Sequence, residues 1–338
     1  MRIVHVNDLA FVGTTLVRTM RGLGVDAELV RPWRPGAGLP YPWKLAALPL
    51  RAAAIAAAGL RLRVEAPDVV HVHYARLGMF GPLAGRPYVL HCHGSDVRGV
   101  RPGTLWGREI APYLAAARVV YYATPDLEPD VTAFRSDAIF LPNPIEIPAE
   151  RPMIHGPTTD LLVGVRLEAI KGVDTIAAVL RRVVAARPGT TITIVDQGAG
   201  VGLVADAAGG RARVIPPVPH EAMAALLQDH RIAVGQFRVG ALGNFELEAL
   251  AAGTPVAASF RYPAAYDDPP PVISGATAEA VADAVIGLLD DEPSRVKHGE
   301  AGRAWVSRHH DPIRIATRLL DTYRRILSAS PEQDGGVT

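Results

Sequence analysis

The chain has 338 residues, of which 49% are apolar, with a formal net charge of +1 and a single cysteine, Cys92. Domains usually span about 100–200 residues, so this length predicts two domains, and the apolar content is enough for two cores. The near-neutral charge and the lack of a base-recognition motif argue against a nucleic-acid partner. One cysteine excludes an internal disulfide, which favours the reducing cytoplasm.

The first residues, MRIVHVNDLAFVG, lack the charged, apolar and small-residue order of a signal peptide and are typical of a first strand. We expect no membrane-spanning helix, because no stretch holds roughly 18 uninterrupted apolar residues. The nearest stretch, residues 45–60, is interrupted by Pro49 and Arg51. Residues 328–338 are polar and glycine-containing, and we expect a frayed tail there.

Short apolar runs alternate with helical patterns through the first half of the chain. This alternation predicts β-α-β units and a parallel sheet. The predicted strands are residues 2–6, 69–73, 88–92, 119–123 and 138–141, and the predicted helices are residues 14–23, 44–62 and 103–116.

Residues 141–157 contain five prolines and cannot form a helix or a central strand, so we predict the domain linker here. The α/β pattern then restarts, with strands at 161–165, 191–195, 214–215, 232–235 and 256–259 and helices at 173–186, 220–228, 245–252 and 278–289. A last helix is predicted with Asp311 as N-cap and Pro312 in first position. Its predicted apolar face is Ile313, Ala316, Leu320, Tyr323 and Leu327.

Residues 164–174, GVRLEAIKGVD, are the first stretch that could carry chemistry. A strand ends, a loop carries Arg166 and Lys171, and a helix begins. Two cations beside the N–H groups and positive dipole end of a helix could hold a diphosphate. The same pattern fits two solvated loop charges equally well.

Residues 240–256, GALGNFELEALAAGTPV, are the second such stretch. Its glycines permit close approach of the backbone to a ligand, and the start of the short helix could hold phosphate. A carboxylate one turn into the helix could accept hydrogen bonds from a ribose diol. For Glu246 and Glu248, however, the residues alone favour compensation of the helix dipole.

These two stretches, in this order, resemble the donor-site signature of glycosyltransferase family 4. VRLEAIKGVD is similar to the family's G-R-L-x-x-x-K-G-x-D segment, and LEALAAGTPV to its L-E-A-x-A-x-G-x-P-V segment. Weaker resemblance is found in ITIVDQGAG at 192–200, LPNPIE at 141–146 and HGSD at 93–96. Each motif alone has little specificity, but their common order covers nearly the whole chain.

The resemblance implies an α/β protein of GT-B fold, with two Rossmann-like domains facing each other across a cleft. It implies an N-terminal acceptor-binding domain at 1–145, a nucleotide-sugar-binding domain at 146–310, and a helix at 311–330 that crosses back to the first. The implied reaction is retaining transfer of a hexosyl group from a UDP- or GDP-sugar. The implied acceptor is a small molecule, a glycan or a lipid-linked glycan, and neither cofactor nor metal is expected.

The resemblance also implies roles for individual residues. Arg166 and Lys171 would neutralise the departing diphosphate, an interaction that speeds the reaction when it is stronger in the transition state. Glu248 would bind the ribose hydroxyls, and His93 would face the transferred sugar or the acceptor. The other implied donor contacts are Gly13, Gly198, Gly200, Gly243, Asn244, Phe245 and Glu246.

One position departs from the family pattern. Family members usually carry a second glutamate eight positions before the one that matches Glu248, and this chain has Gly240 there. Either the donor sugar differs, or Glu246 or backbone groups substitute, or activity is lost. Two alternatives therefore stay open: another reaction on the same scaffold, such as epimerisation or hydrolysis of a sugar nucleotide, and a non-catalytic subunit that binds one. A nicotinamide-dependent enzyme is disfavoured, since only Gly13, and no G-x-G-x-x-G, follows the first strand.

Several histidines need an interpretation of their own. His71 and His73 alternate on one strand and could ligate a metal, but no third ligand is evident nearby, which favours a structural role. His93 and Asp96 could form a general acid–base pair or merely bond within a loop; the resemblance favours the former. The triplet at 309–311, HHD, is predicted to cap the last helix.

Residues 31–64 contain six arginines and lysines and no acidic residue, interleaved with Trp33 and Trp43. Basic amphipathic segments can lie on anionic membranes. The favoured prediction is nevertheless a helix that packs on the N-terminal sheet beside an arginine-rich loop.

Overall fold

The computed structural model describes residues 1–36, 39–149 and 158–329. The chain divides into two compact units: Met1–Pro144 together with the segment that begins at Pro312, and Ile145–Asp311. Each unit contains a parallel sheet with flanking helices, which confirms the predicted α/β class. Residues 150–157 of the predicted linker and 330–338 of the predicted tail lie outside the described residues.

The sheet of the first unit has six parallel strands in the order β2-β1-β3-β4-β5-β6. These strands, β1 to β6, are Arg2–Val6, Asp26–Val30, Val69–His73, Tyr88–Cys92, Val119–Tyr122 and Ile139–Phe140. Strand β2 is not among the predicted strands, because its sequence DAELV includes two acids. It lies at the sheet edge, where Glu28 pairs with Arg2 and Arg61.

Six α-helices lie in the connections between these strands. Helices α1 to α6 are Val12–Gly22, Trp43–Ala46, Leu48–Glu65, Phe80–Ala84, Leu105–Ala116 and Glu128–Thr132. Apolar side chains cover both faces of the central strands, which are therefore buried on both sides.

The second unit has five parallel strands in the order β11-β10-β7-β8-β9. Strands β7 to β11 are Thr159–Val163, Ile192–Val195, Ala212–Ile215, His230–Val234 and Val256–Ala257. Helices α7 to α12 are Val173–Ala186, Val201–Ala207, His220–Gln228, Asn244–Ala251, Ala278–Asp290 and Glu292–His309. In parallel sheets of this kind, ligands bind beyond the carboxyl ends of the strands, where the loops after β7 and β10 begin.

The last helix, α13, spans Pro312–Ser328 and begins at the predicted residue. It packs on the first unit's sheet beside α1. The predicted apolar face was wrong in one member, since Ile313 is 56% exposed. The buried face instead runs through Ile315, Ala316, Leu319, Leu320, Tyr323 and Ile326. Of the residues predicted to cap it, His309 ends α12 and contacts Asp268, and His310 contacts Tyr266; the cap itself stays a prediction.

Helices α2 and α3 correct two predictions. The segment Trp43–Glu65 passes a length and composition test for a membrane-crossing helix, with a mean hydropathy of 1.5, although no such stretch was expected. Only 11% of the tested window is buried, whereas the favoured prediction was a helix packed on the sheet. Within α3 only Gly59 and Leu62 are buried, and the partly buried Ile55 and Ala58 also pack against the core of the unit, so one side of the helix makes the contact.

Candidate functional site

The turn between β7 and α7 brings the two predicted donor segments together. Helix α7 starts after Gly172, and Lys171 closes a turn of 3-10 helix immediately before it. A Cβ built on Gly243, at the start of α10, would lie 3.8 Å from Nζ of Lys171. The ring of Phe245 fills the space where a side chain at Gly164 would stand. The two segments, far apart in sequence, therefore form one surface.

The predicted cations of this turn differ in their surroundings. Arg166 is exposed and pairs with the exposed Glu168, with Nε 3.0 Å from Oε1. Lys171 is half-buried, and its carbonyl accepts a hydrogen bond from the backbone of Phe237 at 2.9 Å. Arg166 can turn toward a ligand at little cost, because an exposed ion pair contributes only about 0–1 kcal/mol.

Gly198 and Gly200 have a packing role that the sequence does not reveal. A Cβ on Gly198 would stand 2.5 Å from the carbonyl oxygen of Leu167, and one on Gly200 would stand 2.6 Å from Val173. The backbone N–H of Gly200 donates to the same carbonyl at 2.8 Å. The two glycines thus let the β8–α8 turn lie directly against the cation-bearing turn. Their predicted role beside a nucleotide base stays a prediction.

Glu246 is the clearest correction among the predicted donor contacts. Its side chain is 1% exposed. One carboxylate oxygen accepts the backbone N–H of Gln236 and the other accepts that of Gly243, both at 2.9 Å. Both oxygens are thus bonded to the loop after β10 and the start of α10. Glu246 shapes the site from beneath, which agrees with the alternative interpretation of a carboxylate serving the first helical turn.

Glu248 lies two residues further along α10 and is partly exposed. Its Oε1 is 3.0 Å from Nε2 of His220, the first residue of α9. This partner was not predicted, because nothing in the sequence places α9 beside α10. The pair keeps the carboxylate at the surface, where it could accept hydroxyl hydrogen bonds as predicted.

The loop after β10 is organised by Gln236, another residue that sequence patterns do not single out. Its side chain is fully buried, donates to the carbonyl of Ala241 at 2.7 Å and accepts from the N–H of Val239 at 2.8 Å. This loop carries Gly240, which replaces the family's usual glutamate. Gln236 therefore holds the backbone of the loop that contains Gly240.

Gly240 has a φ of +77°, where a side chain is strained by about 1–2 kcal/mol. A Cβ there would lie 2.5 Å from Nε of Arg261. Arg261 also donates its N–H to the carbonyl of Gly240 at 2.9 Å, and its guanidinium donates to the carbonyl of Arg238. An arginine side chain thus fills the position from which the usual glutamate would project.

In the first unit, the turn between β1 and α1 carries Gly13. A Cβ on Gly13 would lie 2.9 Å from the carbonyl of Asn7, so the glycine allows α1 to start close to β1. The carboxylate of Asp8 already accepts the backbone N–H and hydroxyl of Thr14 and pairs with Arg31 at 2.7 Å. The predicted phosphate contact at Gly13 has to compete with this carboxylate.

His93 follows β4 and is half-buried. The predicted acid–base pair with Asp96 is not formed, because the Asp96 carboxylate accepts backbone N–H groups of His93, Gly94 and Ala75 instead. The ring of His93 contacts His73, with Nε2 3.0 Å from Nδ1. Burial lowers the pKa of His93 to about 3, so the imidazole is neutral. The neutral ring can accept a hydrogen bond from a hydroxyl group, which suits the predicted place of His93 beside a sugar or acceptor.

The absence of a third metal ligand beside His71 and His73 was a wrong prediction. His5 and His91 lie on the neighbouring strands in register with them, and His93 adjoins. Strand order decides this grouping, and the sequence does not show it.

Comparison with known proteins was consistent with this geometry. The family model "Glycosyltransferase Family 4" matches residues 4–146, and the model "Glycosyl transferase-like" matches residues 177–321. Together the two models cover most of the chain, and they support a GT-B glycosyltransferase of the family 4-like type. No curated protein sequence matches the chain.

Several solved glycosyltransferase structures are similar in fold to this chain. A sucrose-phosphate synthase from Thermosynechococcus elongatus has a TM-score of 0.73 at 16% identity, over 98% of this chain and all of that one. Anabaena HepE, solved with UDP and glucose, has a TM-score of 0.70 at 12% identity, over 96% of this chain and all of that one. S. aureus TarM reaches 0.62 at 14% identity over 80% of this chain, which spans only 59% of the TarM chain. At such identities the likeness establishes the fold alone.

Proposed function

We propose that this glycosyltransferase is a retaining hexosyltransferase whose nucleotide-sugar donor binds to the second unit. The supporting observation is the meeting of Lys171 with the start of α10, since it places a cation beside the N-terminal end of a helix. UDP is the favoured nucleotide over GDP, because Anabaena HepE was solved with UDP and with UDP-glucose. The acceptor, a small molecule, glycan or lipid-linked glycan, would be held by the first unit.

The proposed mechanism rests on charge. As the bond between the anomeric carbon and the diphosphate breaks, negative charge grows on the leaving group. Lys171 and Arg166 would stabilise that charge, and a fixed cation counts most when it is aimed where charge develops. These cations would take the part that a metal ion plays elsewhere, so the reaction is proposed to need none. Glu248 would hold the ribose hydroxyls, and His93 would face the sugar or acceptor.

Turnover by matched variants tests the donor site. Lys171→Ala is expected to lower kcat by about 100- to 1,000-fold, the usual loss for one transition-state charge contact. Glu248→Ala is expected mainly to raise the KM for the donor. Lys297→Ala and Glu300→Ala, on the exposed side of α12, are the charge-matched controls. Unchanged turnover in both site variants would overturn the donor-site assignment.

The two alternatives predict different products. An epimerase or hydrolase would change the sugar nucleotide without any acceptor, and a non-catalytic subunit would bind it without turnover. Chromatography of the donor after incubation alone, and then with mixed glycan and lipid acceptors, distinguishes the three activities.

We further propose that α2 and α3 bring the first unit to an anionic membrane surface. Exposed apolar residues recur along α3 at helical spacing, at Ala52, Ala53, Ala56, Ala57, Leu60 and Val64. Trp33, Tyr41 and Trp43 precede them and are more than 60% exposed. Because residues 31–64 contain basic but no acidic side chains, the segment complements anionic lipids.

Sedimentation with vesicles tests this second proposal. The protein should sediment with vesicles rich in phosphatidylglycerol and remain in solution with phosphatidylcholine alone. The double change Leu60→Glu with Val64→Glu should abolish sedimentation. Leu105→Glu should not, although Leu105 is a 78%-exposed leucine of the same unit. Equal sedimentation of both variants would contradict the proposal.

A further inference from the structure

Five histidines of the first unit form a continuous cluster on one face of its sheet. The register places His5 of β1 beside His71 of β3, and His73 of β3 beside His91 of β4. Successive side chains of a strand alternate between faces, so His93 joins this face. The side chains of His5, His71, His73 and His91 are fully buried.

The rings contact one another directly. Nδ1 of His5 is 3.0 Å from Nε2 of His73, and Nδ1 of His73 is 3.0 Å from Nε2 of His93. Ring centroids of His91 and His93 are 4.3 Å apart. At the other end, Nδ1 of His71 is 2.6 Å from the hydroxyl of Tyr323 on α13.

Four ring nitrogens of this cluster are buried without a hydrogen-bond partner among the described residues. They are both nitrogens of His91 and the Nε2 atoms of His5 and His71. Leaving a buried polar atom unpaired costs about 1–3 kcal/mol, so such atoms are rare in folded proteins. His91 is the extreme case, with its whole hydrogen-bonding capacity unused.

Two sets of three histidines bring ring nitrogens within 4.8 Å of one another: His5, His71 and His73, and His73, His91 and His93. The rings of the first set are stacked with planes only 11–25° apart, and lone pairs that lie in stacked, nearly parallel planes do not meet at one point. Those of the second set are tilted by 34–40° and can converge on one point. The second set also includes the half-buried His93, which gives a path from solvent.

We infer that His73, His91 and His93 form a binding site for one divalent transition-metal ion, Zn²⁺ being the best fit. Imidazole nitrogen is a preferred ligand of zinc, and three histidines with an open fourth position are a known arrangement. His91 can turn toward the ion without breaking a hydrogen bond, whereas His73 exchanges one of its contacts for the metal. His5 stays bonded to the other nitrogen of His73 and orients that ring.

The charge of the surroundings suits a cation. Asp8 is the carboxylate that acts electrostatically on His93 and His5. It supplies negative charge nearby without being among the proposed ligands.

Cobalt titration of the tag-free, full-length protein tests the site. Co²⁺ should bind with one ion per chain and give the visible absorption bands of a tetrahedral centre, and Zn²⁺ should displace it. His91→Gln should weaken binding by about 100-fold or more, beyond the loss typical of an outer-shell change. His71→Gln, outside the set, and His298→Gln, on α12 of the other unit, should retain both the bands and the stoichiometry.

Absence of bands in the wild-type protein would overturn the inference, as would equal affinity in His91→Gln, or a loss in His71→Gln as large as that in His91→Gln. Should His91→Gln fail to fold, zinc-edge anomalous diffraction from wild-type crystals decides the matter. A peak between His73, His91 and His93 supports the site. No peak there contradicts it.

One consequence rests on the proposed function. Ligation would occupy one ring nitrogen of His93 and hold its ring on the metal, and His93 is proposed to face the sugar or acceptor, so zinc should slow transfer. If zinc binds but transfer is unaffected, the role of His93 fails while the metal site stands.

Discussion

The two units begin with the same strand–turn–helix, yet the charges at their turns are opposite. After β1, the Asp8 carboxylate accepts from Thr14 at the start of α1 and pairs with Arg31. Burial would raise the pKa of Asp8, but these hydrogen bonds outweigh it and lower the pKa, so the residue is anionic. After β7, Lys171 precedes a helix whose N-cap is Gly172, without a side-chain cap.

The difference shows that shared topology does not give shared chemistry. A phosphate at the α1 turn would meet a carboxylate that already neutralises the helix end, whereas the α7 turn offers a cation. This difference supports the proposal that the donor binds to the second unit, and the predictions below test how far the two units differ.

The largest expected difference between the two units is in their loss of stability at acidic pH. The histidine cluster is neutral in the folded first unit, with burial lowering the pKa of His5 to about 3. The unfolded chain takes up protons below pH 6.5, so stability is full above that pH and falls as the pH drops toward the folded pKa. Each such histidine costs about 1.4 kcal/mol per pH unit in that range.

Urea unfolding of the chelator-treated protein between pH 7 and pH 5, followed by a probe in each unit, measures this effect. The second unit should respond less, although burial also lowers the pKa of His230 there. Equal loss of stability in both units would contradict the prediction.

Removing Glu246 should produce the next largest effect. Glu246→Ala leaves the N–H groups of Gln236 and Gly243 without their acceptor, at about 1–3 kcal/mol each when buried. The second unit should unfold at lower denaturant, while the first should not change. Glu300→Ala is the exposed control, and a loss no larger than in that control would show that the carboxylate is not structural.

Arg261 should determine the choice of donor sugar. It stands where the family's glutamate would project, so Arg261→Gln should change the ratio of kcat/KM between donor sugars by about tenfold, as expected for one charged hydrogen bond. Affinity for the free nucleotide should change less. Arg211→Gln, another exposed arginine of this unit, is the control. An unchanged sugar ratio would place Arg261 outside the donor site.

The smallest effect is expected at the first turn. Asp8→Asn keeps an acceptor for the Thr14 N–H in the first turn of α1 but removes its charge, and should cost at most about 1 kcal/mol of stability. Nucleotide affinity should not change. A clear gain in affinity would mean that the first unit contacts the phosphates after all, as predicted for Gly13.

Much of the fold could be predicted because buried parallel strands are short apolar runs. Strand β2 was not found, since an edge strand such as DAELV tolerates acids. The family motifs located Lys171 and Glu248 but could not separate Glu248 from the buried Glu246. That difference depends on which helical face meets the β10 loop.

Other features depend on contacts between distant segments. The histidine cluster requires knowing that β3 lies between β1 and β4, and Arg261 beside Gly240 requires the path of the loop after β11. The exposure of α3 was not predicted, because an alanine- and leucine-rich pattern resembles a core helix until its surroundings are known.

Thermal unfolding of the wild-type protein with UDP, GDP, ADP and TDP tests the placement of the donor site most directly. A nucleotide at 100 times its Kd should add about 2.7 kcal/mol of stability. We predict selective stabilisation by one nucleotide, UDP being favoured, that is lost in Lys171→Ala and retained in Asp8→Asn. Stabilisation by none of them, or one that survives Lys171→Ala but not Asp8→Asn, would contradict a donor site in the second unit.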